Sequence, residues 1–290
     1  MSFKHIFIIQ KSYLSYQNNS LAVKNEQKET LISLDDIDML IVENNQTTIS
    51  SSLISHMAQK NISVMFVDEK FMPSAISHGL YKNSRTFKIQ KAQLSVSKPR
   101  VNRLWKDIVS SKVLNQGDVA KDEYLYSLAN KVQSADKTHI ESIAAAYYFK
   151  KLFGSDFIRK NELDTRNVVL NYGYSIIRSS ISRHIIAYGL NPSFGIWHSN
   201  ELNAYNLADD LLEPFRPIVD RYVLVNKIDK NSIFIQNIKY DLVGLLYAKV
   251  KNNNGENIIL NDAIKNIVAS YQSFCLGKRE DVELFFMTSI

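Results

Sequence analysis

A single cysteine, Cys275, among 290 residues leaves no partner for an internal disulfide and no thiolate cluster for zinc. The chain therefore fits a reducing compartment, with the cytoplasm as the default expectation. No apolar run approaches the roughly 18 residues needed to cross a bilayer, and stretches such as 39–42 are soon interrupted by charge. The opening MSFKHIFIIQKS is apolar only over 6–9 before Gln10 and Lys11, short of a secretory core of about 7–15 residues, so it reads as a strand and no membrane partner is expected. No glycine-rich turn follows the apolar segment 38–42. Glu43, Asn44, Asn45 and Gln46 stand where a phosphate-cradling loop would have to be, which argues against a nucleotide site there. Paired cysteines and an HExxH helix are also missing, which argues against a hydrolytic zinc site. Cys275 lies in a helical pattern with nothing nearby to activate its thiol, and makes a poor nucleophile. There is no internal repeat and no long low-complexity segment.

The composition is that of an ordinary folded protein, with 45% apolar, 11% aromatic and 22% charged residues. The length suggests one large domain or two smaller ones. A formal charge of +6 allows an acidic partner such as nucleic acid without requiring one.

Short β-type segments dominate the first eighty residues: 3–9, 13–17 and 21–24, with an Asn18-Asn19-Ser20 turn that signals a hairpin. A buried strand over 38–42 precedes a helix from about Ser50, with Leu53, Ile54 and Met57 at helical spacing, and a strand over 63–67. This region reads as scaffold or dimer surface. Around Met72, Pro73 and Gly79 the β pattern stops, and helical periodicity holds almost everywhere from residue 84, apart from a loop at 252–255. The expected fold class is α+β: a small β-rich N-terminal domain over 1–80 and a larger, mainly α-helical domain over 81–290. Helices are expected from Asp136 to Gly154, from Asp164 to Tyr188 before Gly189 and Pro192, and from Asn206.

Nine basic residues (Lys82, Arg85, Lys88, Lys91, Lys98, Arg100, Arg103, Lys106 and Lys112) face one acid, Asp107, across 82–112. That run beside Phe87 and Trp105 is either a solvated helix face or a phosphate-binding surface. Glu141 falls on the stripe of Ala145, Tyr148 and Leu152, where a carboxylate must be protonated, paired with an arginine of a neighbouring helix, or bound to a cation. In the helix from Asn206, Leu207, Leu211, Phe215, Ile218 and Tyr222 point to the core. Asp209 and Glu213 then share the opposite face with Asp210 at its edge, as a solvated helix start or a divalent-cation site. Pro214 and Pro217 place Glu213 at a bend. His198, after Gly195, Ile196 and Trp197, is a packed side chain or a ligand; carboxylates with one imidazole suit magnesium or manganese.

Three segments, NVVLNYGY over 167–174, GLNP over 189–192 before GIWH over 195–198, and NLADDLLEPFRP over 206–217, resemble the CRISPR-associated spacer-acquisition integrase, the catalytic subunit of the adaptation module. The resemblance spans nearly the whole chain, and the last run and the compact length are most like the variant of type II systems. It implies a metal-dependent DNA endonuclease and integrase that inserts DNA fragments into a CRISPR array by 3′-hydroxyl attack on repeat phosphodiesters. Carried over by position, the catalytic and metal-binding set is Glu141, His198 and Glu213 with Mg2+ or Mn2+; Asp209 and Asp210 are neighbours that tune the site. DNA contacts are expected at Arg178, Arg166, Lys88 and Arg103, with Arg183, Tyr172 and Tyr174 as further candidates that equally suit packing. The implied partners are prespacer and repeat DNA, a second copy docked through the N-terminal region, and the small dimeric protein of the adaptation module. Two other readings fit the same residues: an architectural DNA-binding subunit without chemistry, and a hydrolase of a small phosphorylated metabolite.

Overall fold

The computed structural model describes residues 4–68, 73–77, 79, 85–252 and 254–287. Phe3, Met72, the boundary near residue 80, Lys82 and Asn253 lie outside the described residues. The chain forms two compact units, one from residues up to Thr86 with Ile186–Gly189, the other from Phe87–Ile185 with the residues from Leu190 onward.

The first unit is built from strands β1 (Lys4–Ile8), β2 (Tyr13–Gln17), β3 (Ser20–Lys24), β4 (Glu29–Ser33), β5 (Ile37–Val42) and β6 (Thr48–Ile49), helix α1 (Ser51–Gln59), and strands β7 (Ser63–Val67) and β8 (Pro73–Ser77). One sheet has the order β1-β5-β7-β8, the first three strands parallel and β8 antiparallel to β7; the other has the order β4-β3-β2-β6. Asn18 and Asn19 both adopt positive φ, +47° and +61°. A tight two-residue hairpin requires that geometry and asparagine tolerates it, so β2 and β3 pair through Gln17 and Ser20 as the turn signal predicts. All six residues of β5 are buried, as befits an inner parallel strand. The Ser50 hydroxyl accepts from the Leu53 amide at 3.3 Å and starts α1. Leu14, Leu21, Leu40, Leu53, Met57 and Val64 share one core.

The second unit contains α2 (Thr86–Leu94), α3 (Lys98–Ala120), α4 (Glu123–Ala129), α5 (Ile140–Phe153), α6 (Thr165–Ala187), α7 (Asn206–Leu212), α8 (Arg216–Val225), α9 (Gln236–Gly244), β9 (Lys249–Asn252), β10 (Asn257–Ile259), α10 (Leu260–Cys275) and β11 (Phe285–Phe286). The architecture is the expected α+β, with β-sheets first and helices after. Fifteen of the 23 residues of α6 are buried, the mark of a helix packed on all sides. Gly173 makes this possible: a Cβ there would lie 2.5 Å from Val219 of α8. No helix among the described residues is long and apolar enough to cross a membrane.

Three features depart from expectation. The β pattern continues past Pro73 as β8, and a second β region appears late, as a sheet of order β10-β9-β11. The helix expected from Asp136 begins at Ile140. Ala135, Asp136 and His139 all have positive φ, and the Asp136 carboxylate caps from outside, accepting the amides of Ile140 at 2.8 Å and Glu141 at 3.0 Å.

Candidate active site

The site grows from a lysine on the buried side of α3. Lys112 follows Trp105, Ile108 and Val109 at +7, +4 and +3, so helical geometry turns it toward the same core, and it is 8% exposed. A buried ammonium needs charged partners, and Lys112 Nζ has two: Glu141 Oε1 at 2.7 Å and Glu213 Oε2 at 2.5 Å. Burial alone would depress the amine, yet Glu213 and Glu141 hold it above the usual lysine range.

Glu141 stands in the first turn of α5, on the inner stripe with Ala144 and Tyr148. Glu213 stands at the expected bend, where α7 gives way to a 3-10 turn over Glu213–Phe215 and then α8. Asn115, one turn after Lys112, donates to the Pro214 carbonyl at 3.0 Å and accepts from the Met287 amide at 3.1 Å, which fixes the bend to α3. Arg216 Nε lies 2.9 Å from Glu213 Oε1. Burial pushes the Glu213 carboxyl up, but Arg216 and Lys112 more than offset it and bring the group down to about 2.

His198 is placed by Asp210. That carboxylate is fully buried and accepts the amides of Ile196 at 2.6 Å, Trp197 at 2.8 Å and His198 at 3.3 Å, while its Oδ1 lies 2.5 Å from His198 Nδ1. The loop can wrap this closely because residue 195 is glycine: a Cβ there would sit 2.2 Å from the His198 carbonyl and 2.8 Å from Asp210 Oδ2. Gln93 of α2 ties down the segment before it, donating to the carbonyls of Asn191 at 3.0 Å and Phe194 at 2.8 Å. The Asp210 hydrogen bond raises the imidazole above its ordinary value although burial lowers it; the charges of Glu213 and Glu141 add to the rise. His198 thus stands within electrostatic reach of both glutamates. Buried Trp105 meets the His198 ring at right angles, with centroids 5.8 Å apart, and stacks parallel to half-exposed Trp197 at 5.5 Å.

Of the two readings of Asp209 and Glu213, the solvated helix start does not hold. The 206–222 segment is buried on nearly every side, and each acid has its own cation: Asp209 pairs with Arg178 at 2.7 Å, Glu213 with Arg216 and Lys112. Asp210 is at the centre of the His198 loop rather than at an edge. Glu141 is paired, but with a lysine where an arginine was one of the expectations.

Among the cations expected to meet DNA, Lys88 on α2 and Arg103 on α3 are exposed. Arg178 is 31% exposed at its side chain, lies over the Tyr205 ring, and donates to Asn203 at 3.1 Å. Arg166 is buried, with its guanidinium on Asp164 and on the Phe153 carbonyl. Tyr172 and Tyr174 pack the lobe, the latter donating to buried Asp220. Lys112, the Asp210 anchor, Asn115 and Gln93 were missed; for Lys112 the signal was its place on the Trp105 stripe.

The donor set, two carboxylate oxygens and an imidazole, is of the kind hard divalent cations take. Glu141 and Glu213 hold one cation between them, the Lys112 ammonium. Among the described residues no three His, Cys, Asp or Glu side chains converge on one point in this conformation.

A two-unit α+β chain with a lysine-bridged glutamate pair and an aspartate-anchored histidine defines a recognisable class. The profile of the family described as CRISPR associated protein Cas1 matches residues 6–237. A CRISPR-associated endonuclease Cas1 of Neisseria meningitidis is 33% identical over 282 residues, 94% of this chain and 92% of the relative. This chain belongs to the Cas1 family. A second relative, a CRISPR-associated endonuclease Cas1 of Saccharolobus solfataricus, is 26% identical over 83% of each chain. The fold is shared with a casposase bound to its integration product, at TM-score 0.76 and 19% identity over 97% of this chain and 92% of that one. It is also shared with a Cas1 protein of Thermotoga maritima, at TM-score 0.74 and 15% identity over 96% and 98%, and with a chain of a Cas6-RT-Cas1–Cas2 complex, at TM-score 0.70 and 17% identity over 96% and 35%.

Proposed function

We propose that this protein is a metal-dependent DNA endonuclease and integrase of spacer acquisition, joining a DNA 3′-hydroxyl to a repeat phosphodiester at Glu141, His198 and Glu213. One observation carries the reading: two glutamates, distant in sequence, close around a single positive charge beside a histidine whose ring is fixed by a buried aspartate. A bound Mg2+ or Mn2+ would supply Lewis-acid polarisation of the phosphodiester and neutralise charge at phosphorus. The chain's own residues prepare for it. Arg216 keeps Glu213 ionised inside the protein, Asp136 holds the amide of Glu141, and Asp210 on Nδ1 leaves Nε2 of His198 toward a ligand or a proton in transit. Strand transfer exchanges one phosphodiester for another and needs no nucleotide energy, and water in place of the hydroxyl gives nuclease activity at the same residues.

DNA is the substrate in this reading, held through phosphates by exposed Lys88 and Arg103, with Arg178 able to exchange Asp209 for phosphate. Arg166 is occupied by Asp164, so its part is to brace α6. A Cas2-type small dimer is the proposed assembly partner, supported by the likeness to a chain of a Cas6-RT-Cas1–Cas2 complex. The β-rich N-terminal unit is proposed to pair two copies of this chain. Transfer of a labelled prespacer into a repeat, with the small partner present, tests the site: E141A, H198A and E213A should each lose on the order of 100-fold or more. If all three retain metal-dependent transfer, the site is elsewhere; if the wild-type protein binds DNA but transfers nothing, an architectural role is left.

A further inference from the structure

The pairing of Lys112 has a consequence for the site it fills. Its ammonium contacts one oxygen of each glutamate, Oε1 of Glu141 and Oε2 of Glu213, while the other oxygen of Glu213 is taken by Arg216. A metal held by both residues would therefore have to compete with Lys112 for these carboxylates. An ammonium and a divalent cation cannot occupy the same gap between two carboxylates, since each requires the oxygens within contact distance and the two cations repel. Lys112 is also suited to leave: four methylene units place its charge at the end of a flexible stem, unlike the forked guanidinium of Arg216.

We propose that Lys112 is a built-in competitor for the metal, occupying the cation position when metal is absent and swinging out when a divalent ion binds. The inference rests on the metal reading of Glu141 and Glu213 and adds to it a residue outside the ligand set that tunes metal affinity. In the metal-free protein the lysine lies between the two carboxylates and ties together α3, α5 and the Glu213 bend. It also makes the site discriminate by charge, because a monovalent ion gains too little from the two carboxylates to displace a resident ammonium, whereas a divalent ion gains twice as much. Binding thus includes the work of moving Lys112, and the apparent affinity is lowered by the fraction of molecules in which the lysine is in place.

The test is Mn2+ binding to the full-length protein without DNA, read from the paramagnetic resonance of free Mn2+, beside thermal unfolding with and without metal. K112M keeps most of the stem and removes the charge. It should bind Mn2+ at least about tenfold more tightly than wild type, melt lower than wild type without metal, and gain more on Mn2+ saturation. Unchanged or weaker binding by folded K112M, with wild type binding normally, overturns the displacement while leaving the metal reading intact. Saturable binding by neither protein overturns the metal reading and the displacement with it. Should K112M not fold, isotope-labelled lysine in the wild-type protein decides: the slowly exchanging signal of the buried ammonium should disappear or shift on saturation with Mg2+, and a signal unchanged at saturation refutes the proposal.

Discussion

Asp210 shows how much a single side chain can organise. It accepts three successive backbone amides and the ring of His198, so its removal would leave buried donors unpaired as well as freeing the imidazole. In D210N the histidine should titrate closer to its ordinary value of 6.5, because the raising hydrogen bond to a carboxylate is gone; a histidine titration by NMR that leaves the value unchanged would assign the shift to other charges. Asp220 makes the complementary case. Burial lifts its carboxyl to about 6 against the hydroxyls of Tyr174 and Tyr148, which pull it down. Because the folded chain holds that proton more tightly than the unfolded one, the stability it contributes is complete below 3.8 and is lost as pH rises through about 6. D220N removes this dependence, and urea unfolding between about pH 4 and 7 should show a slope flatter by on the order of 3 kcal/mol across the range. Glu213 runs the other way: its pairing stabilises above 4.5 and is lost as pH falls through about 2. Glu141, His198 and Glu213 stand out in the sequence because each follows a distinctive local pattern. Lys112 does not, since a lysine in a basic run reads as charge until its place on the Trp105 stripe is weighed.

At the level of elements, legibility followed length and periodicity. The strands β2 and β7 appear where alternation and the Asn18-Asn19 turn put them, and Gly154 at φ +90° and Gly189 at φ +74° stop their helices as glycine should. The strands β9, β10 and β11 have two to four residues each, too few to establish a period, and β11 pairs with β9, more than thirty residues earlier in the sequence. The start of α5 was displaced by four residues because its cap, Asp136, works across a turn rather than from the adjacent position. The junction of α7 and α8 was foreseen as a bend from its prolines, but what secures it, Asn115 on α3, is a tertiary contact that neither segment announces. N115L removes the donor to the Pro214 carbonyl and the acceptor for the Met287 amide. It should cost about 1–3 kcal/mol in chemical denaturation, and a loss below about 0.5 kcal/mol would mean that the bend is held by its own prolines.

For the whole molecule, the excess of positive charge matters less than where it can be reached. Within the basic run, Lys88, Lys91, Lys98, Arg103 and Lys106 are exposed, whereas Lys112 is consumed by the glutamates and Arg100 by the carbonyls of Phe274 and Arg279. If the exposed set holds DNA, affinity should fall steeply between roughly 50 and 200 mM salt, and serine at Lys88 and Arg103 should reduce the slope of log affinity against log salt by about one per phosphate lost. A flat salt response would point to a small phosphorylated metabolite instead. The chain has only two tryptophans, and both lie in the parallel stack against which His198 rests. Ultraviolet-excited indole emission from this protein therefore originates within a few ångströms of the imidazole, and the unlabelled molecule carries its own optical gauge of what arrives there.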